Sequence, residues 1–210
     1  MDEATARAAL TVPRETLDRL EAFVALLREE NERQNLVSGA SLDQVWERHV
    51  LDSAQLVGLA PPNATSWLDL GTGAGFPGLV VACLFRGTVT LVEARKLRVE
   101  FLVRAAEVLG VAGRTRIICG KVESLDAPPF GVISARAFAP LDKLLALAER
   151  FSTTNTRWIL PKGRNAKTEL EAAESLWQGD FRLEASVTDA DASIIVAEAV
   201  RRKVKGRSGR

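Results

Sequence analysis

Hydrophobic and polar positions follow two different periods along this chain. Leu17, Leu20, Val24 and Leu27 recur at helical spacing with Arg14, Arg19, Arg28 and Glu29 between them, so residues 14–33 predict an amphipathic helix. A second helix is expected over Ser41–Leu59, with Ser41 as its cap and Leu42, Val45, Trp46, Val50 and Leu51 as its apolar set. Pro61-Pro62-Asn63 then ends the helical part. Beyond it, short apolar runs at 66–70, 88–93, 115–119, 130–135 and 156–161 read as strands, and stretches near 77–86, 95–109, 140–151 and 166–177 read as helices. Apolar strands alternating with amphipathic helices imply a parallel sheet covered on both faces. Right-handed crossovers make that sheet doubly wound, with ligand at the carboxyl ends of its strands. Phe181–Val187 and Ser193–Val200, around Thr188-Asp189-Ala190-Asp191, predict a terminal antiparallel hairpin. The expected fold is therefore α/β, a doubly wound, mostly parallel seven-stranded sheet. Its parts are a helical cap over residues 1–60, the sheet domain over 61–200 and a basic tail over 201–210.

Composition narrows the classes. A chain of 210 residues, 47% hydrophobic, has the length of one domain with a substantial core. It holds no uninterrupted apolar stretch of the ~18 residues a membrane span needs. Met1-Asp2-Glu3-Ala4 lacks a signal-peptide pattern, so a cytoplasmic protein is expected. Cys83 and Cys119 lack the close pairing of zinc or redox sites and read as buried small hydrophobes. No metal site is expected. His49 is the only histidine, and no serine elbow accompanies it. The net charge of +1 conceals an asymmetry: Arg201, Arg202, Lys203, Lys205, Arg207 and Arg210 fall in the last ten residues without an acid, leaving a net acidic body. Such a tail is either a solvated end or an electrostatic arm for a polyanion.

The chemistry concentrates in Trp67-Leu68-Asp69-Leu70-Gly71-Thr72-Gly73-Ala74-Gly75-Phe76-Pro77-Gly78, a strand running into a glycine-rich turn, and in Glu93 at the end of the next strand. Glycines let the chain turn sharply and let a ligand lie against bare backbone, faced by amides at the start of the following helix. An acid about 20 residues beyond such a loop can accept hydrogen bonds from both ribose hydroxyls. Gly73, Gly75 and Gly78 followed by Glu93 also satisfy the dinucleotide pattern. Asp69 favours a different cofactor. Its carboxylate would repel a pyrophosphate but suits the ammonium and sulfonium of S-adenosylmethionine. A methyltransferase, an NAD-dependent reductase and a non-catalytic nucleotide-binding regulator remain the competing readings.

Five parallel strands finished by an antiparallel pair form the architecture of class I Rossmann-like methyltransferases. More specifically, the chain resembles the bacterial 16S ribosomal RNA guanine-N7 methyltransferase family, RsmG or GidB, over nearly its whole length. The resemblance is carried by Arg33-Gln34-Asn35-Leu36, by Trp46-Glu47-Arg48-His49-Val50-Leu51-Asp52-Ser53, and by the glycine loop ending in Phe76-Pro77-Gly78. It continues through Leu91-Val92-Glu93, Lys96 with Phe101-Leu102, Val122-Glu123, Arg136-Ala137 and Lys162-Gly163.

That resemblance implies S-adenosylmethionine bound by Gly71, Phe76, Val122, Glu123 and Arg136. To these the residues themselves add Asp69, Gly73, Gly75 and Glu93. The chain reads Ser134-Ala135-Arg136 where many members place serine directly before arginine. Arg136 is expected to align ligands through a forked guanidinium. His49, with Asp52 on the same helical face, either lines the cleft or ties the cap to the sheet, and Lys162 either binds RNA phosphate or serves a turn. The implied partner is 16S ribosomal RNA or the small ribosomal subunit, and the protein is expected as a monomer. Guanine N7 carries a lone pair and no proton, so methylation there needs no general base. The chain contains no tyrosine, so it lacks the Asn-Pro-Pro-Tyr signature of amino-group methyltransferases.

Overall fold

Seven strands form one sheet in the order β3-β2-β1-β4-β5-β7-β6 in the computed structural model, which describes residues 1–203. The strands are β1 (Ser66–Leu70), β2 (Thr88–Glu93), β3 (Thr115–Cys119), β4 (Val132–Ala135), β5 (Arg157–Lys162), β6 (Trp177–Ala185) and β7 (Ser193–Arg202). The first five pair in parallel, and β7 pairs antiparallel with both β5 and β6. Strand order reverses between β1 and β4, and ligands of open α/β sheets bind at the carboxyl side of that switch point.

Alternation along the strands feeds two cores. Trp67, Val132 and Ile159 face one side, packed with α5 (Gly78–Leu84), α6 (Lys96–Val108) and the N-terminal helices. Leu68, Leu70, Ile133, Trp158 and Leu160 face the other, against α7 (Leu141–Ala148) and α8 (Ala166–Glu174). The cap adds Leu20, Phe23, Val24 and Leu27 of α2 (Arg14–Gln34) to the first core, so it shares a continuous apolar interior with the sheet.

The cap departs from the expected pair of helices. A short α1 (Glu3–Ala9), capped by Asp2, precedes α2. The expected helix over Ser41–Leu59 is broken into pieces. Ser38, not Ser41, caps the short α3 (Gly39–Leu42). A wide π-helical turn, Trp46–Leu51, then leads into α4 (Asp52–Ala54) and a 3-10 stretch, Gln55–Leu59. Such turns preserve the apolar spacing that marks a helix while rotating its faces, and they occur often at functional sites. The hairpin is also longer than expected. Trp177 opens β6 instead of extending α8, because its side chain is buried against the second core. β7 runs through Arg202, so the first basic residues assigned to the tail belong to the sheet; residues 204–210 lie outside the described residues. Cys83 is half-buried, with burial pushing its thiol up to about 11. Cys119 is exposed at the end of edge strand β3, contrary to its assignment to the interior.

Close packing of α5 against the sheet carries a cost for any side chain at Gly78. A Cβ there would stand 2.2 Å from Leu91 Cδ2 and 2.7 Å from both Asp69 Oδ2 and Thr72 Oγ1. Gly78→Ala is expected to destabilise the fold by about 1–3 kcal/mol through overpacking. Chemical denaturation checks this, and an unchanged midpoint and slope would show that the contact is relieved at no cost.

Candidate functional site

The glycine turn is built around a buried carboxylate. Asp69 has no solvent exposure. Its Oδ1 accepts from Ser134 Oγ at 2.7 Å, and its Oδ2 accepts from Gly78 N at 3.1 Å and from the Thr72 hydroxyl. Trp67 Nε1 donates at 2.8 Å to the same Ser134 oxygen, so β1, β4, the turn and α5 meet at one acid. Burial pushes its carboxyl up to about 6, against the lowering effect of those hydrogen bonds. Direct contact of Asp69 with a ligand cation, expected from the sequence, gives way to internal support of the turn. The period-two pattern held the signal, since Asp69 shares a strand face with buried Trp67 and pairs in register with Ser134. Ser134 aims inward at this acid.

Above Asp69 the turn is held by its own amides. Gly71, Gly73 and Gly75 have φ of 66°, 56° and 93°, which side chains rarely adopt. The Gly71 and Thr72 N–H groups donate to Val92 O, those of Gly75 and Phe76 to Thr72 O, and that of Gly73 to Glu93 Oε2 at 3.1 Å. Glu93 also accepts from Arg95 N at 2.8 Å through its other oxygen. These internal bonds replace the ligand-facing amides expected from the sequence, leaving little of the N–H cradle a pyrophosphate requires. The Phe138 ring covers the outer face of Gly71, where a Cβ would lie 2.4 Å from its Cδ2. Phe138 escaped the sequence reading because no spacing rule links it to the turn.

Phe76 is buried, where packing against a ligand was expected. Its ring lies 5.4 Å from that of Phe23 and stacks on His49 at 4.8 Å with an interplanar angle of 20°. Arg136, following β4, completes this column with its guanidinium 5.5 Å from the Phe76 centroid. The same guanidinium grips the π-helical turn. Nη1 donates to Arg48 O at 3.0 Å and to Asp52 Oδ2 at 3.2 Å, and Nη2 donates to His49 Nδ1 at 2.8 Å. His49 and Asp52 do face one partner, as their spacing suggested, and that partner is Arg136. Asp52 Oδ1 also accepts from Thr188 Oγ1 at 3.0 Å and Gln55 Nε2 at 2.9 Å, tying the hairpin loop to the cap. Thr188 joins the site only through folding, across a sequence distance that no local pattern spans, whereas Gln55 stands three residues from Asp52.

A cleft of about 1160 Å³ opens beside this clamp, bordered by Arg48, His49, Asp52, Arg136, Phe138 and Lys162 among others. Lys162 is mostly committed, donating to Glu169 Oε2 at 2.8 Å and Ala139 O at 3.1 Å. On the far side of the turn, Val122 is buried and its carbonyl accepts from Arg150 Nη2 at 2.6 Å, while Glu123 is exposed. The described residues contain no group of three His, Cys, Asp or Glu side chains placed to hold a metal.

Residues 16–195 match the family model described as rRNA small subunit methyltransferase G, GidB. Among curated relatives, the ribosomal RNA small subunit methyltransferase G of Rhizorhabdus wittichii is 50% identical over 214 residues, covering 100% of this chain and 99% of the relative. That of Zymomonas mobilis is 49% identical, covering 95% of this chain and 92% of the relative. Among solved structures, a putative O-methyltransferase from Klebsiella pneumoniae aligns with a TM-score of 0.64 at 17% identity, covering 93% of this chain and 95% of that one. An O-methyltransferase from Bacillus cereus in complex with SAH aligns at 0.63 and 16% identity, covering 93% and 96%. These structural likenesses show the fold.

The buried imidazole makes stability depend on pH. Burial, then the charges of Arg136 and Arg48, hold His49 down to about 3 from the ordinary 6.5. The folded value lies below the unfolded one, so the unfolded chain takes up the extra proton and stability is lost as pH falls from about 6.5 towards 3, at up to about 1.4 kcal/mol per pH unit. Asp69, raised to about 6, contributes the opposite slope over roughly pH 4–6. The difference between wild type and His49→Phe therefore isolates the imidazole. Denaturation at a series of pH values should show the variant lacking this acid-side loss, and parallel curves would mean that His49 charges freely in the folded protein.

Proposed function

The chain belongs to the rRNA small subunit methyltransferase G family, and from that premise we propose that it transfers the methyl group of S-adenosylmethionine to N7 of a guanine in 16S ribosomal RNA. The observation that carries the cofactor reading is the turn itself, whose amides bond inward to Glu93, Thr72, Val92 and Asp69. A pyrophosphate would find few free donors there, which disfavours an NAD-dependent reductase. A cofactor with an adenosine and an amino-acid end needs only an adenine slot, an acid for its ribose and a donor for its carboxylate. Val122 and Glu123 after β3, Glu93 at the end of β2 and Arg136 after β4 offer these in strand order across the sheet edge.

When bound, S-adenosylmethionine supplies an electrophilic methyl group. The remaining work falls to the chain. Guanine N7 presents its lone pair without losing a proton, so the site needs no base. His49 is not equipped to be one, because its Nδ1 lone pair accepts from Arg136. Alignment is then the main source of rate, and oriented reactants reach effective molarities of about 10⁵–10⁸ M. We assign that alignment to Arg136, held by Asp52, Arg48 O and His49. Gly71, Gly73 and Gly75 give the turn its shape, Asp69 and Phe76 support it from below, and the Phe138 ring must turn aside for a ligand to lie on Gly71. The cleft bordered by Arg48, Arg136 and Lys162 is our candidate for the RNA, with Lys162 keeping part of its donor capacity. Bacterial ribosomal RNA is cytoplasmic, and we place the protein there, acting as a monomer. Among the described residues no helix is long and apolar enough to cross a membrane.

Small ribosomal subunits from cells lacking the endogenous enzyme, incubated with this protein and labelled S-adenosylmethionine, should yield 7-methylguanosine at one site of 16S RNA. Arg136→Ala should reduce the yield at least about tenfold, the loss of a charge-assisted contact of ~1.5–3 kcal/mol, while circular dichroism remains unchanged. Label in methyladenosine or a methylated pyrimidine would refute the N7 assignment, and full activity of the variant would remove Arg136 from the mechanism.

A further inference from the structure

Among the described residues five buried side-chain polar atoms lack a hydrogen-bond partner, and of the residues that carry them only His49 borders the cleft. The His49 ring is about nine-tenths buried, and its Nε2 makes no hydrogen bond in the protein. Its tautomer is fixed by geometry. A guanidinium only donates, so Nδ1, 2.8 Å from Arg136 Nη2, must be the acceptor and the proton must sit on Nε2. Burial and the neighbouring positive charges of Arg136 and Arg48 keep the ring neutral. Stacking on Phe76 could be served by any aromatic ring, and anchoring Arg136 uses only one nitrogen. Neither role accounts for a second buried N–H left unsatisfied, a feature that native interiors avoid.

The position of that donor limits its acceptor. His49 borders the cleft together with Arg136, on the β4 side of β1, whereas Glu93 ends β2 on the other side. With the ribose at Glu93, the amino-acid end of the cofactor extends towards β4, and its one anionic group is a carboxylate. A neutral imidazole N–H can donate to such an anion without adding a second full charge beside a cationic sulfonium. Resting on the proposed cofactor, we infer that His49 is a binding residue: its Nε2–H donates to the carboxylate of the methionine moiety, while Nδ1 keeps Arg136 in place.

Because His49 is the only histidine, its ring nitrogens give unambiguous signals in ¹⁵N-labelled protein. The free protein should show an Nε2–H tautomer that stays neutral down to mildly acidic pH. Addition of S-adenosylhomocysteine should move the Nε2 and Hε2 signals strongly, and 5′-methylthioadenosine, which has the adenosine and sulfur but no carboxylate, should leave them nearly in place. In calorimetry, His49→Phe should weaken S-adenosylhomocysteine about tenfold or more, in line with a lost charge-assisted bond, and 5′-methylthioadenosine by much less. Binding of S-adenosylhomocysteine without a change at Nε2 would overturn the inference and leave the cofactor reading standing. Equal responses to both ligands, or a response only when RNA is added, would overturn the carboxylate assignment. Failure of S-adenosylhomocysteine to bind would sink the cofactor reading and this inference together.

Discussion

The carboxylate of Asp69 is the constraint around which the carboxyl edge of the sheet is arranged. An ion with no solvent exposure is tolerated in an apolar interior only with hydrogen-bond donors to compensate it, and here β4, the turn and α5 each supply one. Because those donors come from Ser134, Thr72 and Gly78, the acid fixes the distance between neighbouring strands and the approach of α5 to them. The compensation is incomplete, which is why the carboxyl is held above its ordinary range. Gly78 follows directly, since the helix must come close enough for its first amide to reach the acid.

A second constraint acts through the cap. The cap is held by an apolar column that runs from Phe101 through Phe23 and Phe76 to His49, and by the polar grip of Arg136 on the π-helical turn. The column is part of a larger apolar interface, and the grip supplies direction. Burial disfavours the Arg136 charge and Asp52 favours it, so removing Asp52 would leave a buried charge without its counter-ion. The turn therefore has two supports, one inside the sheet through Asp69 and one in the cap through Phe76.

The sheet was legible from sequence because five apolar runs and their amphipathic connections repeat one unit, and repetition makes each assignment check the next. The cap was less so. Residues 41–59 keep helical apolar spacing through a break and a π-helical turn, and local periodicity does not register a change of winding when the buried positions stay the same. Trp177 ends an amphipathic run and so patterns as helix, whereas its burial comes from the second core, a tertiary effect. At the site, the glycines announced the turn but not its polarity. Whether an amide faces inward or outward depends on Glu93 and Val92 across a strand boundary, and whether Asp69 meets a ligand or the interior depends on its register with Ser134. Thr188 and Phe138 approach the site from loops distant in sequence, and nothing in their neighbourhoods marks them.

A site with no base and no nucleophile has to obtain its rate from position, and position is what these buried networks supply. Each group assigned to orientation is itself oriented by another: Arg136 by Asp52 and His49, Asp52 by Thr188 and Gln55, and the turn by Asp69 and Glu93. Such chains hold side chains in single rotamers only if each member keeps its partners, so the loss of one propagates to the others. The exception is the segment after Arg136, where Ala137 adopts a φ of 51° and Phe138 rests on the face of Gly71. A rigid frame with one covering side chain can still admit a ligand onto Gly71, because a phenylalanine rotamer changes far more readily than a buried ionic network rearranges.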